Sequence, residues 1–234
     1  QELFDAITYL KGCAVMRMLE NFLGAEAFRN GLQTYMQEFS EGNARGADLW
    51  RHLQAASQQP VTQIMESWIL QGGHPCVTVS LETANGQQQL HLSQQRFFSN
   101  PQTAKGNQQL WQVPLVIRYA DDTGIHIVRH VLTDSAETLT LQIEGELNWC
   151  YANADEIGFH RQNLNPALLT KILNHLDQLN PSEQMGLLAD QWALTRSGDQ
   201  NIALFLNVLT TLATKSDNYN LLFEIVERLH TIRQ

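Results

Sequence analysis

Hydrophobic positions along the chain change period twice, and the changes divide it into three zones. From the start to about residue 72 the spacing is helical. Phe28, Leu32, Tyr35, Met36 and Phe39 recur every three to four residues, which predicts one helix. A second is predicted from about Ala47 to Ser57, carrying Leu49, Trp50 and Leu53. Pro60-Val61-Thr62 opens a third, with Ile64, Met65, Trp68 and Ile69 on one side. Gln71-Gly72-Gly73-His74-Pro75 ends it, since glycine supplies positive φ and proline cannot continue a helix.

From Cys76 the period is two. Val77, Val79 and Leu81 alternate with Thr78, Ser80 and Glu82; Asn85-Gly86 is a strong hairpin signal, and Leu90 and Leu92 resume the alternation. Further strands are predicted over 113–119, 125–132, 138–143 and 147–151, separated by turn-forming residues such as Asn100-Pro101 and Glu144-Gly145. This pattern predicts an antiparallel β-sandwich. After about Asn163 helical spacing returns. Asn165-Pro166 and Asn180-Pro181 each place a capping side chain before proline at the first helical position. Two more helices are predicted, from Gln200 to Thr214 and from Tyr219 onward, the last carrying Leu222, Phe223, Ile225, Val226, Leu229 and Ile232. Short helices in series predict the start of an α-solenoid, cut before its terminal cap. The expected organisation is therefore a helical unit at 1–72, a sandwich at 73–162 and further helices at 163–234.

Composition narrows the possible functions. Apolar residues make up 43% of the 234 positions, enough for a real core. A net charge of −9 argues against nucleic acid or an anionic membrane as the main partner. No apolar run reaches the ~20 residues of a membrane helix, and the first residues are not a signal peptide. Cys13, Cys76 and Cys150 are odd in number and widely spaced. They form no disulfide framework, are expected to be buried small hydrophobes, and favour a reducing, cytoplasmic compartment.

Most catalytic constellations are absent. There is no H-E-x-x-H zinc motif, no G-x-S-x-G and no phosphate loop. His126 and His130 have zinc-like spacing but lie in a predicted strand, where residues i and i+4 stand ~13 Å apart, too far to share one ion. Asp121-Asp122 reads as a solvated turn. On a helix starting near Asp5, Ile7, Ala14, Met18 and Phe22 form one apolar face, and Tyr9 points about half a turn away from it. Periodicity alone would make Tyr9 a second packing surface.

The segment Phe4-Asp5-Ala6-Ile7-Thr8-Tyr9-Leu10-Lys11-Gly12 resembles the aminopeptidase N family of zinc exopeptidases. Further elements resemble that family in the same order: Leu23-Gly24 with Phe28, Gly31, Leu32 and Tyr35; Asp48-Leu49-Trp50; Trp68 to Pro75; Gln95-Arg96-Phe97; Trp111 to Leu115; Asn153 with Gly158 and Arg161; and Leu187 to Leu194. Departures occur at Gly73-His74, Phe159-His160 and Asn163-Leu164.

The resemblance implies the tail of a thermolysin-like catalytic domain, a sandwich and the first solenoid helices. It implies an intact hydrolase that removes N-terminal residues from peptides with a free amino end. In such an enzyme zinc, held by residues absent from this chain, polarises the scissile carbonyl and activates water. Tyr9 maps onto the tyrosine that donates its phenol to the oxyanion, a role suited to a group that stays protonated at neutral pH. Lys11 and Gly12 carry the motif without a catalytic role. By this reading the chain alone binds no zinc and is inactive. The rival reading is a relative that has lost catalysis and serves as a protein-interaction scaffold.

Overall fold

The computed structural model describes residues 6–84 and 87–233. The expected helix start at Asp5 and the Asn85-Gly86 turn lie outside the described residues.

Helix α1 (Ala6–Leu23) buries Val15, Met18, Leu19 and Phe22, the i, i+3, i+4, i+7 stripe of a core-facing helix. Ala14, expected on that face, is only half-buried, and the buried stripe is turned toward Leu19. Gly24, at φ +85, turns the chain directly into α2 (Ala25–Glu38).

The apolar row predicted on α2 does not become core. Phe28, Leu32, Tyr35 and Phe39 are half-buried and Met36 is exposed. The one buried position is Gly31, which lies against α3 (Gly46–Ser57). A methyl group there would fall 2.9 Å from the Leu53 backbone, closer than carbon atoms approach. The helices touch through their backbones, which leaves the larger side chains at the rim. Gly31→Val is therefore expected to force α2 from α3 at a cost of ~1–3 kcal/mol, lowering the melting temperature by roughly 2–12 °C in a thermal scan.

Helix α4 (Val61–Ile69) buries Val61, Ile64, Met65 and Trp68. Ile69, expected beside them, is exposed, because the packed stripe of this short helix ends at Trp68.

Among the described residues seven strands form two sheets. In the first, β1 (Pro75–Ala84) pairs antiparallel with β2 (Gln87–Arg96), and β2 with β5 (Ala136–Thr140). The fourth member, β7 (Arg161–Leu164), runs parallel to β1 and corrects the expectation of a purely antiparallel arrangement. Its sequence, Arg-Gln-Asn-Leu, is too polar to announce a strand; Gln162 and Leu164 nonetheless face inward. The second sheet has the order β4 (Gly124–Leu132), β3 (Val113–Asp121), β6 (Trp149–Tyr151). Alternation places Val77, Val79, Leu90, Leu92, Val113, Leu115 and Ile117 in one hydrophobic cluster with Trp68 and Trp111. Gln94 sits buried among them, its side chain accepting from the Trp111 N–H at 2.9 Å and donating to the Trp111 carbonyl at 2.7 Å. A polar side chain in this core is thus satisfied on both sides.

The remaining helices are α5 (Pro166–Asn174), α6 (Pro181–Ser197), α7 (Ile202–Lys215) and α8 (Tyr219–Arg233). Asn165 and Asn180 cap α5 and α6 as expected, accepting from the Leu168 and Glu183 N–H groups. Asn201 caps α7, so that helix starts two residues later than its apolar pattern implies. On α8 only Leu221 and Ile225 are buried, and Phe223, Val226, Leu229 and Ile232 remain exposed.

Candidate active-site helix and a buried charge network

Tyr9 stands in the first turns of α1, 57% exposed. At 100° per residue it lies roughly 130° around the helix from the centre of the Val15, Met18, Leu19 and Phe22 stripe. Its phenol is directed away from the core, as the sequence implied.

Two residues on, Lys11 is partly buried and donates to the Gln71 carbonyl at 2.9 Å. Burial holds its ammonium below the ordinary lysine value. Gln71 donates in turn to the Leu110 carbonyl at 2.7 Å, and the Trp68 indole donates to Gln112 at 3.0 Å. These bonds fasten the start of α1 to the turn after α4, and that turn to the segment leading into β3. Lys11 is thus a positioning residue for the Tyr9 turn. A cavity of about 380 Å³ lies behind that turn, lined by Lys11, Gly12, Val15, Trp50, Trp68 and Ile69. Tyr9 does not line it.

His74 and His160 stand at two of the departures, and His74 packs among aromatic rings. His74 stacks on Phe97 at 5.5 Å and lies 5.7 Å from Phe159. Burial, with Arg161 nearby, pulls its pKa down to about 4. Burial does the same to His160. Both rings are therefore neutral at pH 7.

The other sequence candidates do not converge. His126 lies 2.9 Å from Asp121 and His130 against Glu137, two separate pairs on β4. Asp121 is not the solvated turn residue expected. It is buried and accepts from the Glu144 N–H, the Thr123 N–H and hydroxyl, and His126. The Glu144 N–H is the largest of the effects that hold its carboxyl far below the usual range. Cys76 and Cys150 are buried, with thiols pushed well up and to about 12, so neither is a nucleophile. Cys13, expected to be buried, is exposed. Among the described residues no three His, Cys, Asp or Glu side chains cluster as a metal site requires. The described residues do not fit a zinc ion.

The most elaborate polar cluster escaped the sequence reading. It joins both sheets and the 153–158 turn to α6. Glu183, fully buried on α6, takes Arg118 at 2.5 Å, the Asn180 N–H at 3.0 Å and the Asp155 N–H at 3.1 Å. Asp190 takes Arg161 at 3.0 Å and the Gln162 N–H at 2.9 Å. Burial lifts Asp190 to about 6, and these two donors leave it ionised at pH 7. Arg161 and Asp190 belong to the motifs quoted above, but nothing in their spacing shows that they pair across 29 residues.

Comparison with known proteins matches residues 1–68 to the peptidase family M1 domain and residues 149–234 to the ERAP1-like C-terminal domain. Aminopeptidase M1 of Arabidopsis thaliana is 30% identical over 238 residues, covering 96% of this chain and 26% of that protein. The chain belongs to the aminopeptidase N family. Other family members similar to it are the puromycin-sensitive aminopeptidase of Caenorhabditis elegans, 31% identical over 93% of this chain and 23% of that protein, and the glutamyl aminopeptidase of Mus musculus, 31% identical over 92% and 23%. The chain spans about a quarter of the length of the curated relatives it matches. Among the described residues no helix is long and apolar enough to cross a membrane.

Proposed function

We propose that this chain is part of a zinc aminopeptidase, with Tyr9 as the oxyanion donor of the intact enzyme. Within it, residues 1–72 would be the last helices of the catalytic domain, 73–162 a β-sandwich, and 163–234 the first helices of an α-solenoid. The observation that carries the reading is Tyr9 itself. Its phenol stands off the core face of α1, and Lys11 fixes that turn through Gln71. A phenol in a fixed position can donate to an oxygen that becomes negative as the peptide carbonyl turns tetrahedral. The names of the relatives support peptide substrates with a free amino end. The residues of this chain supply the donor and no metal ligand, so the isolated chain is expected to be inactive.

The test uses the full-length protein and one peptide in two forms, with a free and with an acetylated N-terminus. Release of the first residue from the free form alone supports the reading. Equal cleavage of both forms would make the enzyme a different peptidase. Cleavage of neither would favour the scaffold.

A further inference from the structure

The network joining the two sheets to α6 contains Glu183, Asp190 and Glu156 with two arginines. Arg118 is bound to Glu183 and Arg161 to Asp190. Glu156, the third acid, has no basic partner within salt-bridge distance among the described residues. Its neighbours are set by the fold. Asp155 and Glu156 both adopt positive φ, near 58° and 55°, a backbone region that residues other than glycine rarely take. The Asp155 N–H bond to Glu183 and the Glu156 N–H bond to the Asn153 carbonyl hold this turn. The carboxyl it presents lies over Gly186 of α6, where a Cβ would fall 1.9 Å from the Glu156 carboxyl carbon.

Counting hydrogens identifies the state of Glu156. The Tyr151 hydroxyl lies against a carboxyl oxygen of Glu156 and 3.0 Å from the Glu183 carbonyl. Both neighbours are oxygens, and a hydroxyl has one hydrogen to give. Both contacts are full hydrogen bonds only if Glu156 carries the proton. It then donates to the Tyr151 oxygen, and Tyr151 donates to Glu183. The second Glu156 oxygen lies 3.4 Å from the Asn153 amide, at the long limit of a bond.

We propose that Glu156 is held protonated in the folded protein, as the head of a donor chain from Glu156 through Tyr151 to the Glu183 carbonyl, and that this proton clamps α6 to the second sheet and releases it at alkaline pH. Every charged or titratable group facing Glu156 is accounted for: Tyr151 on β6, Arg161 on β7, and Glu183 and Asp190 on α6. Burial, and then the negative Asp190, lift the Glu156 carboxyl to about 8. A cavity of about 410 Å³, lined by Glu156, Ser182, Gly186, Asn218 and Asn220, gives solvent a route to it. The unfolded chain releases this proton near the ordinary glutamate value and the folded chain near 8. The folded state therefore binds more protons between those values. Stability falls as pH rises through that window and levels off above it.

The experiment is isotope-edited infrared titration of the full-length protein labelled with ¹³C at glutamate carboxyls. At pH 7 a protonated glutamate band is expected, lost with a midpoint near 8 and absent from Glu156→Gln. The amide of that variant still donates to Tyr151, so its melting temperature should stay level from pH 6 to 9 while the native protein loses several degrees. Gly186→Ala, which pushes the carboxyl from its seat, should also abolish the band and replaces the first variant if that one fails to fold. No labelled band at pH 7, a band lost in the ordinary carboxylate range, or a band that survives both substitutions overturns the proposal. The result is independent of the role given to Tyr9.

Discussion

Tyr9→Phe in the full-length protein is expected to lower kcat by about 10²–10³ while KM changes little. The phenol has one hydrogen to donate. The bond it would make strengthens only as negative charge builds on the carbonyl oxygen, so its loss weakens the transition state and leaves substrate binding nearly unchanged. Tyr9 lies outside the buried stripe of α1, so the variant should melt within about 1 °C of the native protein, as surface substitutions do. A kcat within a factor of ten of native would remove Tyr9 from the oxyanion role. So would a fall in kcat that a lower melting temperature accounts for.

Glu183→Ala should be the most destabilising single change in the charge network. Glu183 has no exposed surface, and its carboxylate answers three donors on three segments: Arg118 of β3, Asp155 of the turn and Asn180 at the start of α6. Truncation strands a largely buried guanidinium and two N–H groups and breaks the reciprocal cap of α6. Breaking a buried pair from one side costs ~3–5 kcal/mol, which corresponds to a melting temperature roughly 6–20 °C lower. The double variant Glu183→Ala, Arg118→Met should recover much of this, because an apolar replacement leaves no buried charge unpaired. Calorimetry of the native protein and both variants decides it. A single variant within about 1 kcal/mol of native, or a double variant worse than the single, would show that the pair is not what holds α6 in place.

Elements whose stabilising groups are near in sequence were legible beforehand. Both asparagine caps are examples, because the cap and the amide it satisfies are three residues apart. The β1–β2 register was legible too, since alternation and a short connection leave little choice of pairing. β7 was not, because an edge strand of four mostly polar residues has no period to read.

Tyr9 marks how far the candidate site could be read. Its direction away from the core follows from helix geometry, and its role came only through resemblance to a family. The anchoring of its turn by Lys11 joins residues 60 apart and required the fold.

The sequence by itself determined the succession of helices, strands and helices, the asparagine-capped starts of α5 and α6, the alternation along β1 and β2, and the family. These depend on local spacing, and spacing is written in the chain. Only the tertiary structure decided that Gly31 rather than the α2 apolar row makes the helix contact. It also decided that Asp121 is buried, and that Glu156 meets Tyr151, Glu183 and Asp190 over a glycine of α6. Each depends on which surfaces meet and on how many donors are left to share. Those quantities exist only once distant segments have been brought together.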